Sequence, residues 1–295
     1  MRQIPIITEI PFEEQKEFDA LIKQYRTLYI RNSKDIVDAI YHDNSLYHDR
    51  IVDNQISETI RDLREEVWRE YLKDEVNFNA ILMKDLYDKL KTPREILDKL
   101  VDEDILSKQG SALTRFVKEV CGEYAGRVFP YVYRLSLSNT QSRRSRAGST
   151  FESIMYKIYD SLEYSYDSQK KVGRKTFDSL GLGKKVDSIL PSVECYAKRR
   201  NKTIVGTMKT TLRERWQEVA EEIERTKIPE IHLLTVDEDI SLSKGKEMSQ
   251  HNIIVVAYKW VSEKKELAGM KNIISFEEYL FDELPIIQAY WRDND

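Results

Sequence analysis

Four short apolar runs in the second half of the chain constrain its fold more than any other feature. KVDSILPS, KTIVGTMKT, IHLLTVD and NIIVVAYKW read as extended segments, and the last two are apolar with little alternation. Strands of that kind are buried on both faces, so helices must cover them. The run TLRERWQEVAEEIERTK between the second and third has helical spacing and stops before Pro229. FEEYLFDELPIIQAYW, interrupted by Pro285, closes the chain with helical character. Strands alternating with helices predict an α/β core from about Pro130 onward.

The residues before Pro130 carry few strand signals. FEEQKEFDALIKQYRTLYI repeats apolar residues at steps of three and four, and SKDIVDAIYHD begins with a serine suited to an N-cap. ISETIRDLREEVWREYLKDEV places Ile56, Ile60, Leu63, Val67 and Tyr71 on one face, and Thr92 before Pro93 fits the start of a further helix. The expected organisation is therefore a mostly helical region over 1–129 and a core over 130–295. Within the core, PYVYRLSLS alternates and is expected as a strand. SNTQSRRSRAGS is expected as a basic loop, with Ser149 capping the helix that follows. VECYA, KRRN and KTIVGTMKT are expected to form a hairpin.

With 41% hydrophobic and 33% charged residues, the chain has enough core material to exclude a disordered tail. No apolar run approaches the roughly 18–20 residues that cross a bilayer. The first residues lack the features of a signal peptide. Cys121 and Cys195 have no metal-ligand spacing, which fits a reducing cytoplasm. A net charge of −4 argues against a general nucleic-acid coat protein. The basic residues are nonetheless clustered, at Arg143–Arg146, Lys170–Lys175, Gly183–Lys185 and Lys198–Lys202. Each cluster alone reads as a solvated loop; together they suit a phosphate-facing surface.

Two charged residues sit where strands make them costly. Alternation in KTIVGTMKT puts Thr207 and Lys209 on one face, with Lys209 at the strand end, and Asp187 lies in the apolar KVDSILPS. If these strands pair, a carboxylate and an ammonium share a cleft. That arrangement suits metal-assisted phosphodiester hydrolysis: the carboxylate holds a hard cation such as Mg²⁺ and the lysine positions the attacking hydroxide. The plain alternative is a lysine marking a strand terminus. In the helix after Lys209, Glu222 borders the buried stripe of Trp216, Val219, Ala220 and Ile223, whereas Glu218 and Glu221 point further out. A solvated face is the competing reading for Glu222. Thr211 and Glu214 also fit a helix-capping box.

Asp187, then Lys209 within TMKTTLRERW, then Glu222, resembles the active site of the PD-(D/E)xK nucleases. It is similar in particular to the EcoRII, SsoII and PspGI group of type II restriction endonucleases, which recognise CCNGG, CCWGG or CCGG-containing sites. Thr207 stands where much of the superfamily has an acid, and Val186 where it has proline. The resemblance covers roughly Gln141 to Lys227 and includes SRRSRAGSTFE. It implies a restriction-endonuclease-like core with a central mixed β-sheet flanked by helices. It also implies Asp187 and Glu222 as ligands of Mg²⁺, Lys209 as a catalytic residue and Glu152 as a supporting active-site glutamate. Arg213 and Arg215 would donate to guanine O6 and N7, and Glu214 would accept from cytosine N4. Gln141 would approach the minor groove. Arg64 and Trp68, one helical turn apart, would hold flipped nucleotides, the alternative for Trp68 being a core residue.

The activity implied is Mg²⁺-dependent cleavage of double-stranded DNA by a homodimer at a palindromic CC-N-GG-like core. A cognate DNA methyltransferase would be its genetic partner, and no membrane is involved. A repair nuclease on the same core, and a DNA-binding regulator without nuclease activity, are the alternatives; the second leaves Asp187, Lys209 and Glu222 without a role.

Overall fold

The computed structural model describes residues 4–101, 107–182, 185–213 and 215–294. The first part of the chain is helical: α1 (Phe12–Tyr29), α2 (Ser33–Asp43), α3 (Ser45–Val52), α4 (Ile56–Lys89), α5 (Lys91–Leu100) and α6 (Gly110–Arg127). The long helix α7 (Phe129–Ser161) leads into strand β1 (Asp167–Ser168) and the short helices α8 (Gln169–Val172) and α9 (Arg174–Ser179). Then come β2 (Ser188–Leu190), α10 (Val193–Lys198), β3 (Ile204–Lys209), α11 (Arg215–Thr226), β4 (Ile231–Thr235), α12 (Leu242–Gln250) and β5 (Ile253–Ala257). The chain closes with α13 (Lys259–Ser262), β6 (Ile273–Ser275), α14 (Phe276–Glu278), a π-helical turn over Tyr279–Glu283 and α15 (Leu284–Asp293).

These elements form two compact units, one from Met1–Asn32 and Arg69–Ser145, the other from Ser33–Trp68 and Arg146–Asp295. In the first unit, α1 buries Phe18, Ile22 and Tyr25 at helical spacing. Its buried Glu14 accepts from Thr92 N at 3.0 Å, Thr92 Oγ1 at 2.7 Å and Tyr131 Oη at 2.7 Å. Thr92 thus serves Glu14 rather than capping a helix, since α5 starts at Lys91. Glu75, 2% exposed, accepts from Tyr71 at 2.7 Å and from the Arg143 guanidinium. Arg143, read from sequence as part of a phosphate-facing loop, is committed to that carboxylate.

In the second unit one mixed sheet runs in the order β1-β2-β3-β4-β5-β6. β1 and β2 are antiparallel, as are β2 and β3, while β3 to β6 are parallel. Every residue of β4 is buried, and β5 is buried except for Ile254, which is what their unbroken apolar sequences require. Gly206 lets β2 approach β3 closely, because a Cβ there would lie 2.5 Å from Ser188 Oγ. The expected helical region ahead of a restriction-endonuclease-like mixed sheet is the observed architecture.

Three local expectations fail. PYVYRLSLS and the basic stretch after it belong to the single helix α7. Tyr131 and Leu135 are buried four residues apart, while Phe129, Tyr133 and Leu137 stay 57%, 56% and 50% exposed, so the alternation came from apolar residues on two sides of a helix. VECYA is the helix α10, capped by Ser192, whose side chain accepts from Cys195 N. The antiparallel partner of β3 is consequently β2, and no hairpin joins VECYA to it.

Candidate active site

Antiparallel pairing of β2 and β3 brings the start of one strand to the end of the other. Ser188 pairs with Gly206, and Asp187 N donates to Gly206 O at 2.9 Å, so Asp187 faces Thr207 across the ladder with Lys209 on the diagonal. The Asp187 carboxylate accepts from Met208 N at 2.6 Å and Thr207 Oγ1 at 3.3 Å, and lies 3.7 Å from Lys209 Nζ. Lys209 Nζ also donates to Thr207 Oγ1 at 3.0 Å and Met208 O at 3.3 Å. Both side chains are enclosed, Lys209 at 14% and Asp187 at 21% exposure.

Burial pushes the Asp187 carboxyl above its usual range; the Lys209 charge, Met208 N–H and Thr207 hydroxyl oppose this, and the Glu152 charge adds to it. Glu152, on α7, is therefore electrostatically coupled to Asp187, while its own Oε2 accepts from Lys170 Nζ at 3.1 Å. An enclosed carboxylate that feels a second negative charge suits a divalent cation with oxygen preference. Among the described residues, the contacts of Asp187 all fall on Oδ2, which leaves Oδ1 open to a cation. Among the described residues, no three histidine, cysteine, aspartate or glutamate side chains converge there. Magnesium tolerates such a site, since it retains water and takes substrate phosphate oxygens beside one or two carboxylates.

Glu222 is enclosed on α11, 8% exposed, and accepts from Arg225 Nη2 at 2.6 Å; it is hydrogen-bonded to neither Asp187 nor Lys209. The α11 carboxylate that senses Lys209 is Glu218. It is ion-paired with Lys185, whose hydrogen bond chiefly holds it below the usual carboxylate range, with Lys209 and Arg215 adding to the effect. Glu218 is 45% exposed against 8% for Glu222, so it points further out as the helical spacing predicts; its pairing with Lys185, a cation two residues before Asp187, is what sequence reasoning missed.

The segment after Lys209 is pinned before α11 begins. Leu212 is fully buried, and its N–H donates to Asp237 Oδ2 at 2.6 Å. This leaves Arg213, at φ 24°, and Arg215 exposed, with Arg215 opening α11. Thr211 lies in this turn, ahead of the helix, so it is not the N-cap; Glu214 lies outside the described residues. Arg64 Nη1 donates to Tyr258 Oη at 3.0 Å, and Trp68 is 38% exposed rather than a core residue. Gln141 is exposed on α7 in the first unit.

Residues 114–280 match the family model described as EcoRII C terminal. Over 232 residues the chain is 33% identical to the type II restriction enzyme SsoII of Shigella sonnei, a match covering 77% of this chain and 68% of that one. The chain belongs to the EcoRII/SsoII group of type II restriction endonucleases. Two solved structures of Ecl18kI, metal-depleted and bound to uncleaved DNA, are 28% identical to this restriction endonuclease. They cover 94% of its chain and 85% of theirs, with TM-scores of 0.71 and 0.69. A PspGI–substrate DNA complex, 17% identical with a TM-score of 0.58, shares the fold over 88% of this chain and 94% of the other. The family match begins within α6 and ends in the π-helical turn, so it contains Gln141, Glu152, Asp187, Lys209, Arg213, Arg215 and Glu222, while Arg64 and Trp68 lie ahead of it. Among the described residues, no helix of this endonuclease is long and apolar enough to cross a membrane.

Proposed function

We propose that this restriction endonuclease is a homodimeric, Mg²⁺-dependent enzyme that cuts palindromic double-stranded DNA at a CC-N-GG-like core. The observation that carries this reading is the Asp187–Lys209 pair, 3.7 Å apart at the ends of two adjacent strands. Magnesium, when bound, would lower the pKa of a water and neutralise phosphate charge. Asp187 and Glu222 would hold it, Glu222 after giving up Arg225, with Glu152 in support. Lys209 would orient the nucleophile and stabilise the charge that builds on the phosphate. Arg213, Glu214 and Arg215 would read two G·C pairs in the major groove, on a turn that Leu212 and Asp237 keep in place. Gln141 would meet the same pairs from the minor groove. Arg64 and Trp68, the latter 38% exposed, would hold flipped central nucleotides.

A palindrome offers two equivalent half-sites, so each protomer would cut one strand, before the first C, leaving 5′ overhangs. Residues 1–129 would serve DNA contact and dimerisation, and 130–295 catalysis. A cytoplasmic location beside a cognate methyltransferase completes the reading. Plasmid digestion with Mg²⁺, followed by sequencing of the fragment ends, is the test. Discrete fragments with one shared terminal sequence are expected; sequence-independent nicking, or site-specific binding with no cleavage, would replace this reading by the repair or the regulator alternative.

The raised carboxyl of Asp187 gives a pH signature. In the metal-free protein Asp187 binds its proton more tightly than in the unfolded chain. Its stabilising contribution is full below the ordinary carboxylate pKa of about 3.9 and is lost as pH rises through the raised value. A cation that binds the ionised carboxylate acts in the opposite sense. The gain in melting temperature on adding Mg²⁺ is therefore expected to grow with pH across the acid range, and to lose this dependence in Asp187→Asn. Thermal scans at matched ionic strength measure it, and a gain independent of pH in the wild type would contradict it.

A further inference from the structure

The backbone around Asp187 is held from outside the sheet. Asp187 directly precedes β2, where its own carbonyl and that of Val186 lie beyond the first paired residue of the strand. Both carbonyls are taken by side chains. Tyr156 Oη donates to Asp187 O at 3.0 Å, and Gln169 Nε2 donates to Val186 O at 2.8 Å. Together with the Asp187 N–H on Gly206 O, three successive backbone groups are fixed. A peptide held at all three points has little freedom to rotate, so the direction of the Asp187 side chain is set before any ion arrives.

Each gripping residue is itself supported. Tyr156 lies one helical turn after Glu152 on α7, so one face of this helix offers a carboxylate toward the Asp187 charge and a phenol to the Asp187 carbonyl. Its ring stacks on Tyr166, with centroids 5.1 Å apart and planes 8° apart, and Lys171 Nζ lies 3.3 Å from the far ring's centroid. Gln169 follows β1, which pairs with β2 through Ser168 and Ser188. Lys170, next in the chain, is the residue that binds Glu152.

We propose that Tyr156 and Gln169 are positioning residues that clamp the peptide of Asp187 and thereby set its carboxylate for a divalent cation. The inference rests on the reading of Asp187 as a metal ligand. Neither residue touches substrate; both act through Asp187. A phenylalanine at 156 keeps the stack on Tyr166 and removes only the hydroxyl, so it separates clamping from packing.

The test compares Tyr156→Phe, Gln169→Met and Asp187→Asn with the wild type. Mn²⁺ affinity is read from the free-ion EPR signal without DNA, and single-turnover cleavage and metal-free DNA binding are measured on a duplex carrying the site found by digestion. Tyr156→Phe and Gln169→Met are expected to weaken Mn²⁺ binding three- to tenfold and to slow the cleavage step tenfold or more. DNA affinity without metal should stay within twofold and the melting temperature within a few degrees. Wild-type Mn²⁺ affinity and rate in both variants, with Asp187→Asn inactive, would overturn the clamp and leave the active-site reading standing. An equal loss of metal-free DNA binding would also overturn it, as the mark of a merely structural role. Cleavage by Asp187→Asn at the wild-type rate would remove the active-site reading itself.

Discussion

Lys209→Met is expected to slow DNA cleavage by about a hundredfold or more while leaving metal-free DNA binding nearly unchanged. Methionine keeps most of the length of the lysine stem in a site where the side chain is only 14% exposed, so packing is largely preserved. The charge disappears, and its loss acts twice. No ammonium remains to orient the nucleophile or to stabilise charge on the phosphate. The carboxyl of Asp187 also loses the strongest influence holding it down, so it moves further above the usual carboxylate range and yields less readily to a cation. The second effect has its own signature: what cleavage remains should shift toward higher pH and require more Mg²⁺. Single-turnover rates across pH and Mg²⁺ concentration, beside gel shifts in chelator, measure both. A variant that cuts at the wild-type rate would remove Lys209 from the chemistry.

The Asp187–Lys209 pair was legible in the sequence because strand geometry is nearly deterministic. Side chains alternate, so Thr207 and Lys209 had to share a face, and a carboxylate in an adjoining apolar strand had few places to go except beside them. The parallel strands β4 and β5 were legible for a related reason: unbroken apolar runs have no face to give to water. What was not legible depended on competition between partners. Glu222 was placed correctly at the edge of the buried stripe of α11, but only the folded chain shows that Arg225 occupies it and that Glu218 is the carboxylate sensing Lys209. Helix α7 was misread because its apolar residues occur at every second position over Phe129–Leu137, a pattern that a strand and a two-sided helix can both produce. The end of α7 that bears Glu152 and Tyr156 was read correctly as helix; only the folded chain shows that the Tyr156 hydroxyl reaches the Asp187 carbonyl.

The largest expected loss of stability falls on a residue that touches none of this chemistry. Glu277, 6% exposed, accepts from Ser57 N at 2.6 Å and from Ser57 Oγ at 2.9 Å. The same hydroxyl accepts from Lys259 N at 2.8 Å. Ser57 is in the first turn of α4, where N–H groups have no partner within the helix, and a carboxylate there also meets the positive end of the helix dipole. Glu277→Ala would strand a fully buried amide and hydroxyl and leave a cavity. The expected cost is about 3 kcal/mol, and Glu277→Gln, which keeps one acceptor oxygen, should cost about half of that. Urea unfolding followed by tryptophan fluorescence measures it, and a loss below about 1 kcal/mol for the alanine variant would show that water or a neighbouring group replaces the carboxylate. Cleavage separates the two kinds of residue. At low temperature, where the alanine variant is still folded, its rate per folded molecule should equal that of the wild type. On warming it should fall with the folded fraction, whereas Lys209→Met is defective at every temperature.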